Sequence, residues 1–273
     1  MTNVLSFDLE DWFCVSNMAH AITPGQWEAQ ELRIEGNTAR LLELMDRHAV
    51  QATFFVLGWI AERKPDLIRA IAERGHEIAT HGYSHRLLTE MTPEQFSEDL
   101  DRALSVTQPL TAERIVGFRA PTFTVTADTL WVLDILKSHG ILYDSSVFPI
   151  SFMKAYSDIR GVSTGIFQIA DGIIEFPIAC GDFFGLRVPF GGGCFFRAFP
   201  YRLIAHFMNQ CARRQRPVMF YLHPWEIDPD QPRIAMPVAS QLRHYVNLRH
   251  TFGRLDRLLT DFSFSSTRKV LNL

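Results

Sequence analysis

The chain has 273 residues, of which 47% are hydrophobic, so it can bury a large core. An α/β barrel of this size commonly forms one domain, and we expect residues 1–273 to be a single domain. The 27 basic and 30 acidic residues nearly balance, which gives no electrostatic case for binding nucleic acid or anionic lipid.

The cysteines and the amino terminus bear on the compartment. Four scattered cysteines without a CxxC pair predict neither a disulfide framework nor a zinc ribbon, and they suit a reducing compartment. The opening MTNVLSFDLEDWF is acidic where a secretory signal needs a basic region, and no apolar run is long enough to span a bilayer. We expect a cytoplasmic protein with no transmembrane segment, and attachment to the periphery of the inner membrane stays open.

Apolar, β-rich runs alternate with segments of helical periodicity, which is typical of βαβ units with a parallel sheet. The predicted strands are 4–7, 52–56, 77–80, 115–118, 142–144, 173–176 and 218–222. The predicted helices are 36–48, 65–75, 92–106, 126–140 and 198–214. Thr92, Pro93 and Gln95 predict a capping box at the start of the third helix. The repetition predicts an α/β barrel.

Two regions carry less pattern. Over 148–197 the alternation weakens and glycine, proline and aromatic residues increase, which predicts irregular hairpins or an insertion. Residues 226–273 are expected to form a carboxyl-terminal extension. The glycines Gly191, Gly192 and Gly193 lack the lysine of a phosphate loop and predict a flexible turn near the site.

Three carboxylates, Asp8, Glu10 and Asp11, follow the first strand directly. Their mutual repulsion is unfavourable without a cation or a shifted pKa, so they indicate a metal site. In extended backbone Asp8 and Glu10 share a face, which favours Glu10 as a ligand and leaves Asp11 as the alternative. Alone, the cluster is equally explained by an acidic loop or a helix cap.

Two histidines, His81 and His85, follow the third strand in the element HGYSH. A separation of four residues lets both imidazoles share one face of a helical turn and bind one ion. Such pairs are common on surface helices, and it is the combination with the carboxylates that favours a metal site.

Three further clusters lie at predicted strand ends, where α/β barrels assemble their active sites. Arg119, in GFRAPT, could pair with a buried carboxylate, or form an ordinary salt bridge. Asp144, in YDSS, is most simply explained as a turn cap. His223, in LHPWE, could be structural, but its position favours function.

These five segments, in this order, resemble the polysaccharide deacetylase family, also called the NodB-homology or carbohydrate esterase family 4 group. The resemblance spans Asp8 to His223 and is specific in the combination of HGYSH and FRAP. DLEDWF and FYLHPWEID are similar to the branch linked to exopolysaccharide biosynthesis and exosortase systems.

The resemblance implies a distorted, seven-stranded (β/α) barrel that hydrolyses N-acetyl groups of amino sugars in an oligo- or polysaccharide with a divalent ion. Zinc is the expected ion, with Co²⁺, Ni²⁺ or Mn²⁺ as alternatives. The implied roles are ligands (His81, His85 and Glu10 or Asp11), general base (Asp8), its partner (Arg119), general acid (His223), oxyanion donor (Thr122) and acetyl-binding wall (Trp225). We also count Asp144 among the residues expected to contact the substrate or its oxyanion.

Three positions depart from the family pattern. Leu9 separates Asp8 from Glu10 where the family has adjacent aspartates. Thr122 stands where a tyrosine is common. Val147 occupies the position expected to hold an aspartate paired with the acid histidine, so Asp144 and Glu226 are the residues left to orient it.

Two other functions compete with deacetylation of a polysaccharide. The same scaffold could hydrolyse an amide of peptidoglycan or of a small cyclic compound. Alternatively, the Val147 departure favours a catalytically silent sugar-binding protein. The sequence predicts neither the sugar nor the oligomeric state.

Overall fold

The computed structural model of the chain describes residues 1–149 and 163–273. Its strands are β1 (Asn3–Leu9), β2 (Thr53–Val56), β3 (Glu77–Thr80), β4 (Gly117–Phe118), β5 (Tyr143–Asp144), β6 (Phe167–Ala170), β7 (Ile173–Glu175), β8 (Cys180–Phe183), β9 (Leu186–Pro189), β10 (Met219–Leu222) and β11 (Phe264–Ser265). Its helices are α1 (Ile34–His48), α2 (Gly58–Arg63), α3 (Pro65–Glu73), α4 (Pro93–Thr107), α5 (Val132–Ser138), α6 (Gly193–Ala198), α7 (Tyr201–Arg213), α8 (Val238–Tyr245), α9 (Leu248–Asp261) and α10 (Thr267–Leu271).

The main sheet has the order β10-β1-β2-β3-β4-β5-β7-β6. Its strands from β10 to β7 are parallel neighbours, and β6 adds an antiparallel edge. Between β7 and β10 the described residues form only the isolated bridges Ile178 to Met219 and Gly192 to Tyr221. The sheet therefore curls into a distorted barrel with one weak seam, which confirms the predicted fold class.

Burial explains why these segments form strands and helices. All seven residues of β1 are buried, as expected for a central parallel strand covered on both faces. Helix α4 begins with the predicted capping box, in which the Thr92 hydroxyl accepts from the Gln95 N–H and the Gln95 side-chain oxygen accepts from the Thr92 N–H. The regular predicted elements up to α4 are thus confirmed, with boundaries shifted by a few residues.

Several later elements differ from the sequence prediction. The helix expected over 126–140 begins as a 3-10 turn (Ala127–Thr129), and only α5 is α-helical. The helix expected over 198–214 is α7 alone, because Pro200 separates it from α6. Helices α2, α6, α8, α9 and α10 correspond to no predicted helix.

The irregular region is described only in part, since 150–162 of the expected insertion over 148–197 lie outside the described residues. Its described part includes the hairpin β8–β9, which forms a separate two-stranded sheet. The three glycines after this hairpin are closely packed, so the predicted flexible turn is wrong. A Cβ on Gly191 would lie 2.6 Å from the Met219 carbonyl oxygen, and one on Gly192 would lie 2.4 Å from the Tyr221 ring.

The carboxyl-terminal segment contributes to the main sheet, because β11 pairs in parallel with β1. Within the described ranges, no helix combines the length and apolar character needed to cross a membrane.

Candidate active site

One cavity lies at the carboxyl ends of β1, β3, β4 and β10, where parallel-strand loops meet at one edge of a sheet. Side chains from each of these strand ends reach it. Its lining includes Asp8, Glu10, Ser16, His81, His85, Thr122, Cys194, Arg197, Tyr221, His223, Trp225, Glu226 and Arg243.

Asp8 lies next to the carboxyl end of β1 and is held by Arg119, which lies behind it. Arg119 is fully buried and donates from Nη1 to Asp8 Oδ1 at 2.6 Å. Its other nitrogens donate to the Ser145 carbonyl at 3.0 Å and to the Ser145 hydroxyl at 2.9 Å. Arg119 therefore fixes the orientation of Asp8 and balances its charge without itself entering the cavity lining.

Glu10 reaches the cavity from a turn. β1 ends at Leu9, and the Glu10 N–H donates to the Asp8 carbonyl at 3.0 Å, which closes a three-residue turn. The extended backbone assumed for Glu10 in the parity argument is therefore wrong, although Asp8 and Glu10 do face the same cavity.

Glu10, His81 and His85 form a cluster with the composition of a metal site. One potential ligand atom from each lies within 4.8 Å of the others. Glu10 Oε2 is buried 2.8 Å from His85 Nε2, yet it accepts no hydrogen bond. A buried carboxylate oxygen that faces two imidazoles fits a divalent cation between these groups.

The ionisation of this cluster also suits a cation. His81 Nδ1 lies 2.8 Å from the Arg119 carbonyl oxygen, so this nitrogen carries the proton and Nε2 keeps its lone pair. Burial lowers the pKa of His81 to about 4, so the ring is neutral at pH 7. Burial alone would raise the pKa of Glu10, but the charges of His85 and His223 lower it well below its ordinary value.

The segment between the two histidines is irregular, so the expected helical turn is wrong. Gly82 and His85 have positive φ angles of 72° and 54°. Asp99 on α4 holds the segment, since it accepts from the Tyr83 N–H at 2.7 Å and from the Ser84 N–H at 3.1 Å. A loop, rather than helical periodicity, therefore brings both imidazoles to one cavity.

Asp11 faces away from the cavity and caps α1. Its Oδ2 accepts from the backbone N–H groups of Arg33 at 2.7 Å and Ile34 at 3.0 Å, and its Oδ1 accepts from the Trp12 N–H. With both oxygens occupied at a helix start, Asp11 is placed as a structural cap.

His223 follows β10 and faces the carboxylates across the cavity. Its Nε2 lies 3.1 Å from Glu10 Oε1 and 3.8 Å from Asp8 Oδ2. Its Nδ1 lies 2.8 Å from Glu226 Oε1. Burial opposes a charged imidazole, but the contacts with Glu10 and Glu226 outweigh it and raise the pKa of His223 to about 10.

Thr122 and Trp225 line the cavity, whereas Asp144 does not. Thr122 has a left-handed backbone with φ of 56°. The Trp225 ring stacks on His223 at 5.2 Å and on His244 at 4.2 Å between centroids. Asp144 is fully buried against Ser146, so a contact with substrate or with His223 does not fit its position.

Some residues of the site had no recognised signal in the sequence. Arg197 and Cys194 come from α6 and line the cavity. Asp99 positions the histidine loop from α4. None belongs to a short motif, and only the three-dimensional packing relates them to the site.

Two family models match the chain in succession. Residues 27–143 match the model described as Polysaccharide deacetylase, and residues 145–272 match the Domain of unknown function (DUF3473).

Similar curated proteins carry deacetylase names. Peptidoglycan deacetylase-like protein FGM2 of Gibberella zeae is 38% identical over 110 residues, which are 40% of this chain and 32% of that protein. Peptidoglycan deacetylase of Helicobacter pylori is 31% identical over 117 residues, which are 43% of this chain and 39% of that protein. The chain therefore spans less than half of the length of these relatives.

A solved structure shares the whole fold. A protein from Mycobacterium smegmatis assigned to the polysaccharide deacetylases superposes with a TM-score of 0.64 at 19% identity, covering 100% of this chain and 90% of that one. Residues 27–143 therefore carry a polysaccharide deacetylase region and residues 145–272 carry DUF3473, on a fold that the chain shares with this solved structure.

Proposed function

We propose that this protein hydrolyses N-acetyl groups of amino sugars in a polysaccharide, in a reaction that depends on a divalent ion. One observation carries the proposal: the Glu10, His81 and His85 cluster lines the same cavity as His223 and Asp8, and Asp8 is held from behind by the buried Arg119. Deacetylation needs a base, an acid and a site that stabilises negative charge within reach of one amide.

The ion would be held by His81, His85 and Glu10. Two imidazoles and one carboxylate are a donor set typical of catalytic zinc, and zinc is therefore the ion we propose. When bound, it supplies a Lewis acid that activates water and polarises the acetyl carbonyl.

Two groups beside the proposed ion site, Asp8 and His223, carry out the proton transfers. Asp8, held through Oδ1 by Arg119, keeps Oδ2 for taking a proton from the attacking water. His223 Nε2 delivers a proton to the departing sugar nitrogen. Thr122 contributes its backbone N–H to the developing oxyanion, and Trp225 forms the apolar wall against the acetyl methyl group.

The substrate class rests on the relatives. The two described above are named for peptidoglycan deacetylation, which places N-acetylated glycans among the substrates to test. The similarity of DLEDWF and FYLHPWEID to the exopolysaccharide-linked branch favours a role in exopolysaccharide biosynthesis.

The test is acetate release from N-acetylated chitooligosaccharides and peptidoglycan fragments. Activity should disappear with a chelator and return with Zn²⁺. Asp8→Asn should keep the metal and lose about a hundredfold or more in turnover, because the base is gone. Hydrolysis of a cyclic amide alone, or sugar binding with no acetate release by metal-loaded protein, would reject the proposal.

A further inference from the structure

The acid histidine is held by its own segment. Pro224 starts a 3-10 turn (Pro224–Ile227) directly after His223, and this turn brings Glu226 back to the histidine. Glu226 Oε1 accepts from the His223 backbone N–H at 3.0 Å and lies 2.8 Å from its Nδ1. One carboxylate oxygen thus holds both the backbone and the ring of His223. Because this oxygen is an acceptor, Nδ1 carries a proton.

The second oxygen of Glu226 has a dedicated partner. Arg197 donates from Nε to Glu226 Oε2 at 2.6 Å, and both side chains are 1% exposed. The other guanidinium nitrogens donate to the backbone carbonyls of Arg243, His244 and Val246. Arg197 is therefore anchored on three sides and compensates the buried carboxylate charge.

Gly193 provides the space for this carboxylate. A Cβ at Gly193 would lie 1.9 Å from Glu226 Oε1 and 2.0 Å from Oε2. Glycine is required here for close approach, because any side chain would displace the Glu226 carboxylate from His223.

We propose that Glu226, anchored by Arg197 and given room by Gly193, is the positioning residue of the acid His223. This inference rests on the deacetylase function proposed above. All four residues lie within 145–272, so the domain of unknown function supplies the acid side of the site, while Asp8, His81 and Arg119 supply the other. Val147 stands where the family resemblance implies an aspartate paired with the acid histidine. In this chain Glu226 orients His223 instead.

The first test is Glu226→Gln, which keeps the side-chain volume. The amide has one oxygen, so it can accept from Arg197 or from His223 but not from both. On an N-acetylated chitooligosaccharide, kcat should fall by about tenfold or more with little change in KM, because protonation of the leaving nitrogen develops only in the transition state. Hydrolysis of 4-nitrophenyl acetate should fall much less, since a phenolate leaves without a proton. A residue that only supports the fold would lower both activities together.

The second test removes no chemical group. Gly193→Ala adds one methyl against the Glu226 carboxylate, and it should show the same loss on the amide with the ester activity retained. Gly36→Ala is the matched control, because its Cβ would meet nothing within 4 Å. The melting temperature and zinc content of each variant are measured alongside.

The outcomes separate this inference from the proposed function. A wild-type protein that releases acetate from neither substrate contradicts the function itself. Active wild type with equal amide and ester losses in both variants, at unchanged melting temperature, contradicts the positioning role. If Gly193→Ala does not fold, Glu226→Gln still decides, because it introduces no additional atom against its neighbours.

Discussion

Glu10 and Asp11 are adjacent carboxylates with different surroundings. Glu10 Oε2 is buried beside His85 Nε2 without a hydrogen bond. Asp11 accepts hydrogen bonds from the N–H groups of Arg33 and Ile34 at the start of α1 and from that of Trp12. Because the backbone turns after Asp8, the Glu10 side chain enters the cavity and the Asp11 side chain lies at the start of α1.

This difference predicts opposite effects of Glu10→Gln and Asp11→Asn on zinc binding and on stability. Glu10→Gln should lose most zinc binding with a nearly unchanged melting temperature, because a neutral amide is a poor ligand. Asp11→Asn should keep its zinc but lose roughly 1–2 kcal/mol of stability, because an amide nitrogen cannot accept the hydrogen bonds that one of the two carboxylate oxygens accepts now. Metal analysis and urea unfolding of both variants measure this, and reversed phenotypes would make Asp11 the ligand.

Residue types predicted which side chains line the cavity better than they predicted the contacts between them. Asp8, His81, His85 and His223 were recognisable because each lies at or after the carboxyl end of a predicted strand. The choice between Glu10 and Asp11 could not follow from parity, since the strand ends at Leu9. Arg197 was missed because it contacts Glu226 across 29 residues of chain.

At the scale of elements, helix α4 acts on the site through one side chain. Asp99 accepts from two consecutive N–H groups of the histidine loop and from the Ser84 hydroxyl. The loop has positive φ at Gly82 and His85, so its own conformational preference does not fix it. The position of His85 therefore depends on a contact from the following helix.

We expect Asp99→Ala to weaken zinc binding by roughly tenfold to a hundredfold although no ligand is changed, as is typical for residues that orient ligands. Asp101→Ala is the control on the same helix, since Asp101 contacts His139 and not the loop. Zinc titration by calorimetry gives the comparison. Equal affinities of the two variants would show that the loop holds its shape alone.

Local pattern explains which elements could be predicted. β1 and β3 carry short apolar runs and α4 begins with a capping box, and these signals depend only on neighbours in sequence. β4 and β5 are two residues each, and their ends are set by pairing to adjacent strands rather than by their own composition. The spacing of His81 and His85 indicated a helical turn, and tertiary bonds from Asp99 override it.

At the scale of the whole molecule, one sheet joins both family-matched regions. β1 lies between β2 and β10, so strands from the two ends of the chain are neighbours. The closure between β7 and β10 rests on isolated bridges. The cavity therefore depends on assembly of the complete sheet, and a cut between residues 143 and 145 would separate the base from the acid.

The interior of this sheet also buries a pair of carboxyl groups, Asp144 and Glu175. Both are fully buried. Glu175 Oε1 accepts from the Val147 N–H at 2.9 Å, and the Ser146 hydroxyl donates to Asp144. Burial, with the charge of Asp144, raises the pKa of Glu175 well above its ordinary value, and burial raises the pKa of Asp144 to about 6. The pair therefore holds a proton at neutral pH.

This pair predicts a pH dependence of stability. Both pKa values are higher in the folded than in the unfolded chain, where they are near 4, so the stabilising effect is complete below about pH 4 and is lost as the pH rises through 6 and beyond. In Glu175→Gln the amide oxygen can still accept from the Val147 N–H, and the NH₂ group can donate to Asp144 at every pH. The amide has no proton that titrates in this range. Its unfolding free energy relative to wild type should therefore rise between about pH 5 and pH 8, by at most about 1.4 kcal/mol per pH unit for each proton. Urea unfolding across this range measures the difference, and exposed Glu43→Gln should give a curve parallel to wild type. A Glu175→Gln curve that is also parallel would mean that the pair is ionised throughout the range.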